Sequence, residues 1–108
     1  MRGVFPLALL ISASITLPAA AAGDAGAGKK KAQMCQACHG LDGIAKLPDA
    51  PNLAGQNPVY LLKALGDYKS GARKHEVMSV AASTLSPEDI ADLAAYYSSI
   101  KVTVEAAK

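Results

Sequence analysis

Cys35-Gln36-Ala37-Cys38-His39 decides how this chain is read. Its two cysteines are the only ones in 108 residues, and the residue that follows them is one of two histidines. The C-x-x-C-H order is the attachment signature of haem c. The reason is geometric. Cysteines three apart at a helix end reach the two vinyl groups of one porphyrin and form thioethers. The next residue, His39, is then held beneath the iron as the proximal ligand. A covalently held group cannot be lost by dissociation, which suits a compartment outside the cytoplasm.

The same five residues have competing readings. A thioredoxin-like redox pair needs strands around its C-x-x-C, and no segment here alternates at period two. A structural zinc site needs four ligands. The candidates are Cys35, Cys38, His39 and His75. Adjacent Cys38 and His39 suit a tetrahedron poorly, and no second close pair exists. A disulfide across so tight a loop is strained and stabilises little.

N-terminal to the motif lies a leader. Arg2 is the one charge before Asp24, and between them run apolar Val4 to Leu17, Pro18 and Ala19 to Ala22. A basic start, a short apolar core and small residues make a secretory signal peptide, with cleavage expected after Ala22. An uncleaved anchor competes, but a span needs about 20 apolar residues, and Ser12, Ser14 and Thr16 thin this run. The expected organisation is a signal peptide over 1–22 and one domain over 23–108, exported to the periplasm with no permanent membrane anchor.

That domain is small. Trp is absent and the one Phe lies in the leader, so the 51% hydrophobic fraction overstates the core. Small exported domains compensate with disulfides, a metal or a cofactor. Two cysteines three positions apart cannot clip a fold together, so size alone calls for a bound group. Eleven basic against nine acidic residues give no reason to expect nucleic acid.

The rest of the chain reads as helices. Asp24 caps a first helix running through Lys29–Lys31 to Cys35, with Gly28 allowing a close crossing. Residues 40–56 form a Gly/Pro-punctuated loop. Asn57-Pro58 starts a second helix with Leu61, Leu62, Leu65 and Tyr68 at helical spacing, and Gly71 stops it. Residues 75–83 are small and irregular, with one or two helical turns. Ser86-Pro87-Glu88-Asp89 opens the last helix, whose stripe is Ile90, Leu93, Ala94, Tyr97 and Ile100. The fold is all-α.

A low-spin electron carrier needs a second axial ligand. Met1 leaves with the leader, and Met34 adjoins Cys35 on the attachment side. Met78 and His75 remain. Met78 is favoured because it stands alone between two helices among polar and small neighbours, from where a soft thioether can fold over the opposite haem face. A Met/His pair raises the reduction potential relative to two histidines.

Taken together, Gly28, Cys35-Gln36-Ala37-Cys38-His39-Gly40, Pro51-Asn52-Leu53-Ala54-Gly55-Gln56, Tyr60-Leu61, Gly71, Arg73, Met78, Leu85-Ser86 and Leu93-Ala94-Ala95-Tyr96-Tyr97 resemble a short class I cytochrome c of the bacterial periplasmic type. It is similar to single-haem carriers such as cytochrome c-553 and to each half of the two-haem relatives. The resemblance spans residues 24–101. It implies the cytochrome c fold, three main helices and short turns around one covalent haem c. It implies Met78 as sixth ligand, Gly28 meeting the last helix near Tyr97, and the Pro51 carbonyl accepting the His39 Nδ1 proton. Lys29–Lys31 depart from it, where relatives often place something apolar, and so do the small residues Ala32 and Ala37.

The expected function is one-electron transfer between redox proteins by a monomer, without catalysis on a substrate. A cytochrome subunit of a larger periplasmic dehydrogenase is the alternative. A haem enzyme or gas sensor would need an open iron position. Leu53, Tyr60, Leu61, Leu65, Val80 and Leu85 are the expected haem-pocket residues. Lys29, Lys46, Lys63, Lys69 and Lys74 are the expected docking charges.

Overall fold

The computed structural model describes residues 1–6, 11–14 and 23–108. The expected cleavage point at Ala20–Ala22 lies outside them. Helices α1 (Ala25–Lys31), α2 (Gln36–His39), α3 (Pro58–Ser70), α4 (Met78–Ser83) and α5 (Pro87–Ser99) follow in order, with a 3-10 turn at Ala32–Met34 between α1 and α2. Among the described residues there is no strand. α1 packs on α5, and α3 packs on both α5 and α4.

Local chemistry sets the helix ends. Asn57 Oδ1 accepts the N–H groups of Val59 and Tyr60 at 2.8 and 3.3 Å, and Pro58 fills the first helical position of α3. Gly71, at φ 86°, ends α3 and donates to the Asp67 carbonyl. The capping box of α5 is complete: Ser86 Oγ accepts from the Asp89 N–H and Asp89 accepts from the Ser86 N–H. The first helix is shorter than its sequence suggests. Cys35 donates to the Ala32 carbonyl, a bond of 3-10 type, so the chain tightens before the motif instead of continuing as α-helix to Cys35.

Seven residues with two internal glycines make a poor helix alone. α1 is held by α5. A Cβ built on Gly28 would stand 2.0 Å from the Asp92 carbonyl oxygen and 2.8 Å from Tyr96 Cβ, so only glycine permits this crossing. A Cβ on Gly23 would likewise stand 1.9 Å from the Ala91 carbonyl oxygen. Asp92, only 4% exposed, accepts the Asp24 N–H at 2.8 Å and the Lys31 ammonium at 2.5 Å. Lys31 also pairs with Asp89 at 2.8 Å. Lys31 thus acts as a clamp between the terminal helices. Its bonds hold Asp89 down to about 2 and Asp92 below the usual carboxylate range, and both carboxylates raise Lys31.

The core is Ala32, Leu61, Ala82, Leu85, Ile90, Leu93, Ala94 and Tyr97, with Leu41, Leu53, Leu65, Tyr68, Tyr96 and Ile100 packed around it. The α5 stripe supplies half of it. Three leucines, three alanines, one isoleucine and one tyrosine make a modest centre for a domain of this length.

Candidate functional site

The motif sits on a single helical turn, α2, which ends at Gly40. Cys35 precedes α2, and Cys38 and His39 lie within it; both cysteines are free and half-buried. Tyr97 lies beneath them. Its hydroxyl donates to the Gly40 carbonyl at 3.3 Å, and the Tyr96 hydroxyl donates to the Leu41 carbonyl at 2.5 Å. The two rings meet edge-on at 5.1 Å. Burial pushes the Cys35 thiol up, against the lowering effect of its bond with Tyr97. Burial foremost, then the sulfur, raises the Tyr97 phenol. Both groups are therefore neutral near pH 7, and the last helix grips the motif through neutral hydrogen bonds.

His39 is buried, 8% exposed, and its Nδ1 lies 2.9 Å from the Pro51 carbonyl oxygen. Since a carbonyl only accepts, Nδ1 carries the proton, which in the neutral ring leaves the lone pair on Nε2. The loop is folded to bring Pro51 there. Gly43, at φ 74°, accepts from both the Leu53 and Ala54 N–H groups, at 2.8 and 3.0 Å. A Cβ on Gly43 would reach 2.5 Å from Ala54 N. Asn52 Oδ1 accepts the Ala45 N–H, and Lys46 N–H donates to the Cys38 carbonyl, closing the loop on the motif.

Met78 is the first residue of α4 and is half-buried, whereas Met34 is exposed at the end of the 3-10 turn. No hydrogen bond joins Met78 to His39. His75 is exposed, and its ring is engaged with the turn that leads into α4. Leu61 and Leu85 are buried in the core, and Leu53 and Leu65 pack on its edge. Tyr60 and Val80 are instead exposed, at 48% and 69%, along with Ile44, Leu47 and Leu62.

The docking lysines are less free than their sequence suggests. Lys46 pairs with Asp42 and Lys63 with Asp67, each four residues along, and Lys69 donates to the Leu85 carbonyl. Asp42 is held below the usual range, by the Ile44 N–H first and Lys46 next. The α1–α5 clamp, the loop tie at Gly43 and the two tyrosine bonds were not legible in sequence. Each joins a residue to a backbone carbonyl or to a partner far along the chain, which leaves no local pattern.

The profile of the family described as Cytochrome c matches residues 25–101. This chain belongs to the cytochrome c family. It is 47% identical over 98 residues to cytochrome c4 of Pseudomonas aeruginosa, covering 91% of this chain and 49% of that protein. It is 51% identical over 81 residues to cytochrome c-554(548) of Halomonas halodenitrificans, covering 72% of this chain and 98% of that one. Among solved structures, reduced cytochrome c4 from Pseudomonas stutzeri superposes with a TM-score of 0.71 at 46% identity, covering 77% of this chain and 48% of that one. The chain thus spans about half the length of the cytochromes c4 it matches. The helical architecture is the cytochrome c fold, and its cofactor is one haem c.

The residues present fit that group. Two thiols stand three residues apart, the adjacent imidazole has one nitrogen occupied and one free, and a soft thioether lies on a separate helix. Leu61 and Leu85, with Leu53 and Leu65 at the edge, supply the apolar side chains that a haem pocket needs.

Proposed function

We propose that this chain is a periplasmic one-electron carrier in which Cys35 and Cys38 hold the haem by thioethers and His39 Nε2 and Met78 Sδ are the axial ligands. The observation that carries the reading is the His39–Pro51 bond on the C-x-x-C-H turn. It fixes the imidazole tautomer and leaves Nε2 as the free donor, an arrangement that orients a ligating histidine and raises its basicity. Bound, the haem supplies an iron that accepts and returns one electron. The chain's own part is to keep both axial groups in place and to exclude water. Leu53, Tyr60, Leu61, Leu65, Val80 and Leu85 are the residues assigned to wall the ring. Redox proteins are its partners, and it works as a monomer.

The domain of this reading covers 23–108, released from a signal peptide over 1–22. Its support is the contact of Gly23 with Ala91, which puts the first residue of the domain against α5. No helix among the described residues is long and apolar enough to cross a membrane. Intact mass of the exported protein tests both halves, since it should equal residues 23–108 plus one haem. Retention of Arg2 in the mass, or absence of the haem, refutes the corresponding half.

Service to a dehydrogenase is the second reading. A protein named thiosulfate dehydrogenase electron acceptor, from Thiomonas intermedia, is 39% identical over 103 residues, 94% of this chain and 45% of that protein. Size-exclusion of the protein from its native source separates the two readings: a free carrier elutes alone, and a subunit elutes with its enzyme. Carbon monoxide separates both from a haem enzyme or gas sensor, because a reduced carrier with two closed axial positions binds it only as slowly as its methionine detaches.

A further inference from the structure

The segment between α3 and α4 is closed by a set of short-range hydrogen bonds centred on His75. Its Nδ1 accepts the N–H groups of Val77 and Met78, each at 3.2 Å. In return, the His75 N–H donates to Ser79 Oγ at 3.0 Å, and the Ser79 N–H donates to the His75 carbonyl at 2.9 Å. A side chain that accepts from the residues two and three ahead, while the side chain four ahead accepts from its own N–H, closes the entry to a helix from both sides. Nothing in the sequence marks this, because histidine is not among the preferred capping residues.

Helix α3 contains the same device in its usual form. Asn57 Oδ1 accepts from Val59 and Tyr60, again the residues two and three ahead. Nδ1 of histidine and Oδ1 of asparagine are both attached to Cγ, so they lie the same number of bonds from the backbone. His75 holds the turn that leads into α4 much as Asn57 holds the start of α3, and the N–H groups it holds are those of Val77 and Met78, the residue before α4 and its first residue.

We propose that His75 is a positioning residue that fixes the backbone of Met78 and so keeps the methionine sulfur on the iron. The inference rests on the reading of Met78 as axial ligand. His75 itself does not touch the iron. Its effect is to limit how far the start of α4 frays, and a methionine at the first residue of a six-residue helix depends on that limit. Without the cap, the thioether spends more time away from its position, and an external ligand gains access.

The test uses holoprotein carrying His75→Ala, His75→Asn or Met78→Ala. Three quantities are read: the methionine-to-iron charge-transfer band of the ferric form against temperature, carbon monoxide binding by the reduced form, and hydrogen exchange of the Met78 amide. In His75→Ala the exchange and the carbon monoxide association should each rise on the order of fivefold, the factor expected from losing one helix cap. The band should fade at a temperature where far-ultraviolet dichroism still reports native helix. His75→Asn should restore all three towards wild type. The proposal is overturned if His75→Ala matches wild type, if its band is lost only together with the global helix signal, or if asparagine rescues nothing. Met78→Ala isolates the premise: if the band survives there, the ligand assignment fails and takes the proposal with it.

Discussion

His39 Nδ1 and the Pro51 carbonyl oxygen stand 2.9 Å apart across twelve residues of loop. The acceptor is a backbone atom, so the identity of residue 51 matters only through the path of the chain. Gly43 and Asn52 hold that path independently of the proline ring. Pro51→Ala should therefore keep the imidazole orientation while losing about 0.4–1 kcal/mol of stability through a freer unfolded chain. Denaturant titration reads the loss, and the nitrogen chemical shift of His39 Nδ1 reads the bond. A shift that moves to that of an unbonded imidazole contradicts this account.

Met78→Ala should abolish the ferric charge-transfer band, lower the reduction potential and allow carbon monoxide to bind the reduced form, because the soft sulfur favours Fe(II). Spectroelectrochemistry measures all three. Persistence of the band in this variant would return attention to Met34, which is exposed beside Cys35.

Two glycines on different helices should respond in opposite directions. At Gly28 a methyl group meets the Asp92 backbone, which cannot rotate away, and Gly28→Ala should cost about 3 kcal/mol, at the upper end for overpacking. At Gly66, inside α3, a Cβ has nothing within 4 Å, and Gly66→Ala should gain about 0.5–1 kcal/mol. Midpoints of chemical unfolding of the two holoproteins decide the matter, and equal shifts would show that the α1–α5 crossing is not tight.

The clamp at Lys31 gives the stability a defined dependence on acid. Asp89 titrates at about 2 in the folded protein against an ordinary 3.8, chiefly through its bond to Lys31, and Asp92 is displaced in the same direction. The unfolded chain binds more protons between those values. The contribution is therefore present above about pH 4 and is lost as the pH falls towards 2. Lys31 moves upward from 10.5, so its share persists through neutral pH and is lost only in strong alkali. Lys31→Met should flatten the acid limb, and its stability should converge with wild type near pH 2. Parallel curves across that range would show the clamp to be inert.

How much of this was legible follows from how local each feature is. Asn57-Pro58 and Ser86-Pro87-Glu88-Asp89 state helix starts within four residues, and both helices begin there. C-x-x-C-H likewise states its chemistry in five. The role of Asp92 leaves no local trace, since its partners are 61 and 68 residues away. Of the three lysines at 29–31, which depart from the family pattern, Lys31 turns inward to the two aspartates, a role visible only in three dimensions. The Pro51 carbonyl carries no residue-type signal and was reached through resemblance alone. In sequence His75 is a candidate iron ligand, and its bonds to Val77 and Met78 depend on a loop conformation that composition does not specify.

The hydroxyls of Tyr96 and Tyr97 reach back 55 and 57 residues to the carbonyls beside the motif. Contacts of that range exist only once nearly the whole chain is available, and closing so long a loop carries a large entropy cost before any contact repays it. A nascent or translocating chain that ends before Tyr96 has none of them. Cys35, which packs against the core that α5 completes, therefore reaches its final surroundings only when the last helix is in place. The chain order thus makes the enclosure of the motif one of the last contacts the fold can complete.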